Sequence, residues 1–268
     1  MTNDAVYKTR FHHYGAMIEE LLQLVRAYNP AVPRQQWIEY IIETNLLGKG
    51  SRNWVREVVV GVFYPRLVSG RIPNAWRDIR AMDDLRFDKT IIVAALYYHT
   101  MLYDQFIYDF TTTVVFQKYF AGTVYVSSHD VYDFISAQPD SHFNKKWSDY
   151  VKRRLSRGVV ATLRDFGIME GKNTKKVTNY YLPIEAFIYI SYLIGQRVKT
   201  GEKIVDHSDW KLFLLNNKLV ERLFLDAHQQ KLLSYHAAGA IIRIEFPYKN
   251  TEDLIHAVSS RQVKGSGG

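Results

Sequence analysis

Basic side chains recur at helical spacing along residues 146–166. On a helical wheel of roughly 100° per residue, Lys146, Arg153, Arg157 and Arg164 fall within about 40° of one another. The guanidinium fork of arginine pairs with phosphate oxygens or with guanine in the major groove, so the chemistry that this row could perform is nucleic-acid binding. The opposite, apolar side of the predicted helix carries Val151, Leu155, Val159, Leu163 and Phe166.

A β-hairpin is predicted directly after this helix, from residues 168–170 and 177–182, with lysines in its turn. A helix followed by a basic-tipped hairpin is the layout of a winged helix, in which the helix enters the major groove and the wing touches the backbone. The alternative is a solvated helix face beside an ordinary lysine-rich turn. The predicted nucleic-acid-binding residues of this stretch are Lys145, Lys146, Arg153, Arg154, Arg157, Arg164, Lys172, Lys175 and Lys176.

A second candidate surface lies in a predicted helix-turn-helix over residues 34–67. Its second helix is predicted to begin at an N-cap serine, with basic and amide side chains in the first turn. The amide groups and dipole of a helix N-terminus favour phosphate, so these residues are predicted contacts to nucleic acid. A plain pair of antiparallel helices is the alternative. The residues concerned are Lys49, Ser51, Arg52, Asn53 and Arg56.

Signals for catalysis are weak. The chain has no cysteine, which excludes thiolate chemistry and disulfides, and no two of its nine histidines lie three or four residues apart. The strongest enzymatic alternative is a nuclease-like pattern of Asp140, Glu170 and Lys172, which could hold Mg²⁺ and orient water. Such carboxylates need rigid strands, whereas these residues are predicted in a loop and a wing. We therefore expect no catalytic residues, no metal site and no cofactor.

The overall composition is that of a globular protein with an acidic partner. The chain has 268 residues and a formal net charge of +8, and ten basic but only three acidic residues lie between positions 145 and 176. The longest uncharged apolar run, residues 90–103, is shorter than the roughly 20 residues that span a bilayer. No signal peptide is recognised at residues 1–15, so we expect a cytoplasmic protein.

The sequence pattern predicts a mainly α fold with a helix-turn-helix lobe over 1–125 and a winged-helix lobe over 126–264. A sub-boundary is expected near 200, and residues 265–268 are set aside as a cloning remnant. A small α+β segment ends the chain. Further expectations are two long apolar helices over 88–120, a helix capped by Ser128, a helix opened by Pro183, helices near 208–235, a strand over 240–246 and a short helix capped by Thr251.

Several stretches resemble the BrxA family of bacteriophage exclusion (BREX) systems. Residues 45–51 (NLLGKGS) and 64–67 (YPRL) resemble its N-terminal signature, and residues 94–110 its central helices. The tryptophan-serine pair at 147–148, the basic helix, the sequence DFGI at 165–168 and the hairpin also resemble its pattern. The resemblance covers most of residues 10–258 and depends on the order of these motifs.

The resemblance implies a non-enzymatic, helix-rich component of a phage-defence system that binds DNA through helix-turn-helix and winged-helix parts. Members have also been compared with the NusB antitermination protein, so RNA is an alternative partner. We expect double-stranded DNA and other BREX proteins as partners, and no membrane. A protein scaffold within the same system is the remaining alternative, because basic surfaces also dock acidic proteins.

Overall fold

The structure is a computed structural model that describes residue 7 and residues 14–143, 146–171, 175–239 and 241–265. Its described part is mainly helical, as the sequence predicted, and contains two small antiparallel hairpins. Of these the sequence predicted the first hairpin and one strand of the second. Near the N-terminus a helical pair is confirmed in the expected place. Helices α1 to α4 span Ile18–Ala27, Arg34–Glu43, Arg52–Val58 and Ala75–Asp84, and a π-helical segment, Val59–Val68, continues α3.

The apolar stretch after residue 88 forms a broken series of helices instead of two long ones. Helix α5, Lys89–Tyr103, is buried on nearly all sides. Asp104 ends it, because its backbone is extended and its carboxylate accepts hydrogen bonds from the amides of Phe106 and Ile107, which starts a new helix. This series continues with α6, Gln105–Phe110, a π-helical turn, Thr111–Val115, and α7, Phe116–Phe120.

The middle of the chain contains the predicted basic helix and hairpin. The helix opened by Pro183 is also confirmed. The hairpin is shorter than expected, and its strands are only two residues each. The elements are α8, Ser128–Ala137, a 3₁₀ turn, Asp140–His142, α9, Asp149–Asp165, strands β1, Met169–Glu170, and β2, Lys176–Val177, and α10, Ile184–Gly195.

The last part is the α+β segment, with boundaries that differ from the expectation. Leu214 adopts a left-handed backbone conformation (φ 57°), which splits the helical region, and strand β3 begins where a helix was expected to end. Strand β4 pairs with β3 in antiparallel register. The elements are α11, Gly201–Val205, a 3₁₀ turn, Ser208–Phe213, α12, Asn217–Gln229, β3, Ser234–Ala238, β4, Ile241–Glu245, and α13, Thr251–Gly265.

Two predicted helix caps are wrong by one residue. Ser127, and not Ser128, caps α8. Its hydroxyl oxygen accepts a hydrogen bond from the Asp130 amide, and the Asp130 carboxylate accepts one from the Ser127 amide, which together form a capping box. Asn250 accepts a hydrogen bond from the Asp253 amide at the start of α13, and that helix is long. The hydroxyl of Thr251 is directed inward, where it donates a hydrogen bond to a buried carboxylate described below.

A buried hydrogen-bond chain joins four helices. The Tyr189 hydroxyl on α10 donates to Asp78 Oδ2 on α4 at 2.9 Å and therefore accepts from His99 Nε2 on α5 at 2.7 Å. Thr251 on α13 donates to the other oxygen of Asp78 at 2.7 Å. Burial lowers the pKa of His99 to about 3 and raises the pKa of Asp78. The chain therefore has a neutral imidazole at one end.

A second buried cluster surrounds Asp209. Its carboxylate accepts hydrogen bonds from Tyr98 at 2.6 Å, from Tyr108 at 2.7 Å and from Arg197 at 2.6 Å. Burial acts to raise the pKa of Asp209, but hydrogen bonding to His207 and the charge of Arg197 outweigh it and hold this pKa well below its ordinary value. Both clusters join residues that precede the expected domain boundary at residue 125 to residues that follow it. The division of the chain into two lobes stays a prediction.

We expect Tyr189→Phe to lower the free energy of unfolding by about 1–3 kcal/mol, because it leaves buried groups of His99 and Asp78 without a partner. Urea denaturation followed by circular dichroism measures this. Tyr181→Phe is the matched control, since Tyr181 is 78% exposed. Equal stability of the two variants would contradict the assigned role of the buried chain.

A candidate nucleic-acid interface

Helix α9 is fixed on its apolar side and open on its basic side. Ser148 caps its start by accepting a hydrogen bond from the Val151 amide. Leu155, Val159 and Leu163 are buried, as the helical wheel predicted. Packing along this face holds the helix in one rotational setting, so the side chains opposite are presented to solvent.

The end of α9 is set by Gly167. Its backbone is left-handed (φ 81°), and the amides of Gly167 and Ile168 donate to the carbonyls of Arg164 and Leu163, each at 2.9 Å. This is the Schellman arrangement, which ends a helix and turns the chain sharply. The turn leads directly into β1, which packs against α9.

The hairpin is supported by a third extended segment. Met169 pairs with Val177 and Glu170 with Lys176. On the outer side of β2, Tyr125 forms an antiparallel bridge with Lys176. The Val177 amide donates to the Val124 carbonyl at 2.7 Å, and the Val126 amide donates to the carbonyl of Lys175, just before β2, at 3.2 Å. The extended segment, α8, α9, β1 and β2 therefore form one unit in chain order.

The predicted basic residues of this unit are presented as follows. Arg153, Arg157 and Arg164 are exposed and lie opposite the buried side of α9; we call them the arginine row. Arg154 is half-buried between the two faces. Lys146 is exposed but precedes the helix, Lys176 is exposed on β2, and Lys175 is half-buried with its amine donating to the Gly171 carbonyl at 3.0 Å. Lys145 and Lys172 lie outside the described residues.

Acidic side chains hold part of the arginine row. Arg153 Nε donates to Asp149 at 2.7 Å, and Arg164 pairs with Asp165 at the same distance. Arg157 Nε makes a long hydrogen bond, 3.4 Å, to the Arg153 carbonyl. Exposed ion pairs contribute little to stability, so a phosphate group can replace these carboxylates.

A pocket of about 360 Å³ opens between α8 and α9, beside the arginine row. Arg153 lies over the ring of Tyr132, 5.1 Å from its centroid, and the Tyr132 hydroxyl donates to Asp149 at 2.5 Å. Sequence reasoning missed the α8 residues, because a helical wheel of α9 contains no information about the neighbouring helix. The lining residues of this α8–α9 pocket are Ser128, His129, Tyr132, Arg153, Ser156 and Arg157.

The second predicted surface has mixed charge. Ser51 caps α3 as expected by accepting from the Trp54 amide at 3.2 Å. Lys49 lies over the Trp54 ring and pairs with Glu20 at 3.3 Å.

The other predicted residues of this surface, Arg52, Asn53 and Arg56, line a pocket together with two acids of α2, Glu39 and Glu43. Sequence reasoning did not include these acids, although they lie on the first helix of the same predicted pair. Their charge weakens the attraction of this surface for phosphate.

The nuclease-like pattern gains no geometric support. Glu170 is exposed on β1, Asp140 begins a short 3₁₀ turn, and Lys172 lies outside the described residues. Within the described part of the chain, no group of three or more histidine and acidic side chains could hold a metal ion.

These elements define a mainly helical protein with a basic helix-and-hairpin surface. A sequence model of the BrxA family matches residues 5–193, and the chain belongs to that family. Membership associates it with bacteriophage exclusion systems. The match ends within α10, so the α+β segment lies beyond it. Curated proteins give no match. Among the described residues, no helix has the length and apolar character to cross a membrane.

We expect Gly167→Ala to lower the free energy of unfolding by about 1–2 kcal/mol, because a side chain disfavours the left-handed conformation that ends α9. The added methyl group meets no close neighbour, so strain in the backbone is the cause. Chemical denaturation measures the loss. Gly50→Ala is the control, since it adds a methyl group in open space without a left-handed backbone. A loss of the same size in both variants would contradict this role.

Proposed function

We propose that the protein binds duplex DNA without catalysing a reaction on it, as a component of a BREX system. The observation that carries the proposal is the exposed arginine row on a helix whose other face is buried, directly followed by a supported hairpin with Lys176 exposed. The chain order of extended segment, helix, helix, strand and strand is that of a winged helix. In this arrangement α9 enters the major groove and the hairpin contacts the backbone.

The binding energy in this proposal is mainly electrostatic. Arginine and lysine side chains neutralise phosphates and release counterions, so affinity decreases by about 0.9 log units per log unit of salt for each phosphate neutralised. Arg153 and Arg157 provide limited base readout from the middle of α9. Because host and phage DNA are in the cytoplasm, we place the protein there.

The α2–α3 surface is a second, weaker contact in this proposal. Lys49, Arg52 and Arg56 provide positive charge near the start of α3, while Glu39 and Glu43 reduce it. Charge reversal at Arg52 and Arg56 should therefore weaken DNA binding less than charge reversal in the arginine row. We expect the protein to have other BREX proteins as further partners, because it belongs to the BrxA family.

We expect the double variant Arg153→Glu, Arg157→Glu to bind a duplex of about 25 base pairs at least about 100-fold more weakly than the unaltered protein. Fluorescence anisotropy at two salt concentrations without Mg²⁺ measures this, and circular dichroism confirms folding. Lys218→Glu with Arg222→Glu is the matched control, because both side chains are exposed on α12 and the net charge changes equally. Unchanged binding by the α9 variant would contradict the proposed surface.

The same titrations separate the alternatives. Tighter binding of an RNA of equal length than of the duplex would replace DNA by RNA as the partner. Binding to neither polymer would make the protein a scaffold for other BREX components. Incubation of supercoiled plasmid with Mg²⁺ tests for catalysis, and nicking that is lost in Asp140→Ala would overturn the non-enzymatic part of the proposal.

A further inference from the structure

A carboxylate occupies hydrogen-bond donors at the α8–α9 pocket. Asp149 Oδ1 accepts from the Tyr132 hydroxyl on α8 at 2.5 Å, and its Oδ2 accepts from Arg153 Nε on α9 at 2.7 Å. Both hydrogen bonds lower the pKa of Asp149, and the one from Tyr132 has the larger effect. An ionised carboxylate thus presents two oxygens to donors that come from two different helices.

The pocket itself is rich in donors that suit an oxyanion. Arg153 and Arg157 contribute guanidinium groups one helical turn apart, and Ser128 and Tyr132 contribute hydroxyl groups from the facing helix. Among the described residues, Arg157 makes only the long contact to a carbonyl given above, so its guanidinium group can serve another acceptor. Two positive charges on one helix and two hydroxyl donors on the other match the oxygens of a single phosphate group.

Acidic groups around the pocket limit how tightly it holds an anion. The ring of His129, which lines the pocket, lies 3.5 Å from Asp133 on the same helix. Asp149 accepts hydrogen bonds from two other lining residues, Tyr132 and Arg153. Of these two acids, Asp149 is the one bonded to residues that the phosphate needs, Tyr132 and Arg153. Its carboxylate is exposed, so it can leave these donors at little energetic cost.

We propose that the α8–α9 pocket holds one backbone phosphate of the bound duplex, and that the Asp149 carboxylate occupies the donors of this phosphate in the free protein. The proposal rests on the proposed DNA binding and adds an internal competitor to it. On binding, Tyr132 and Arg153 exchange a carboxylate for a phosphate, and Arg157 gains an ionic partner. Asp149 therefore lowers the affinity without being part of the contact.

The first test removes the competitor. We expect Asp149→Asn to bind the duplex about five-fold more tightly than the unaltered protein. Glu170→Gln is the matched control: it removes the same charge from the same helix-and-hairpin unit, at an exposed residue that is not the hydrogen-bond acceptor of Tyr132 or Arg153. We expect it to change affinity less than two-fold by this electrostatic argument. Equal effects of the two variants would overturn the proposal.

The second test asks whether Tyr132 contacts the phosphate or only the competitor. We expect Tyr132→Phe to weaken binding about three-fold, and to weaken it more in the Asp149→Asn background, where the hydroxyl serves the phosphate alone. Tyr150→Phe, at an exposed tyrosine of α9, should leave affinity unchanged. Tighter binding by Tyr132→Phe would show that this hydroxyl only holds Asp149, and would overturn the phosphate site.

The proposed DNA binding and the proposed internal competitor can be disproved separately. If the unaltered protein binds DNA, but Asp149→Asn and Tyr132→Phe have the same affinity for it as their controls, the internal competitor is wrong and the proposed function stands. If the unaltered protein binds no nucleic acid, both are wrong. Circular dichroism of each variant excludes unfolding as the cause of any loss.

Discussion

The need to pair buried polar groups on α5 governs the arrangement of the molecule. Three consecutive side chains of this buried helix, Tyr97, Tyr98 and His99, have polar atoms that water cannot reach. Their partners come from the second half of the chain: the Leu212 carbonyl for Tyr97, Asp209 for Tyr98, and the Tyr189 hydroxyl for His99. Elements far apart in sequence are thereby held in defined positions around one helix.

This constraint reaches the candidate interface through a contact between two aromatic rings. The ring of Tyr97 lies 5.2 Å from that of Phe166, the last residue before the glycine that ends α9. The basic helix is thus anchored at its C-terminal end to the buried helix α5. Its exposed side can carry closely spaced positive charges, because the buried side and this anchor compensate for their mutual repulsion.

The features that the sequence revealed are those with a local cause. The periodicity of the apolar residues predicts which side of α9 is exposed, and the hydroxyl of Ser51 predicts the cap of α3. The choice between Ser127 and Ser128 failed because adjacent serines offer the same chemistry, and the position of Asp130 decides between them.

The features that the sequence did not reveal depend on distant contacts. The role of Tyr132 requires α8 to lie against α9, and the acids near Arg52 matter only because α2 and α3 pack together. In the sequence, Asp149 is one of only three acidic residues in a segment with ten basic ones, so its charge has little effect on the total. In the structure, this carboxylate accepts a hydrogen bond from Arg153, one of the arginines that make the segment basic.

The bridge between Tyr125 and Lys176 makes the hairpin rigid relative to the rest of the unit. A wing attached only through its own turn could swing to follow different backbones. Here β2 is held between β1 on one side and residues 124–126 on the other, so its separation from the arginine row is set by hydrogen bonds within the protein. In the proposed complex with DNA, the arginine row and the hairpin would therefore keep a fixed separation, and a mismatch in groove dimensions would be absorbed by bending or twisting of the DNA.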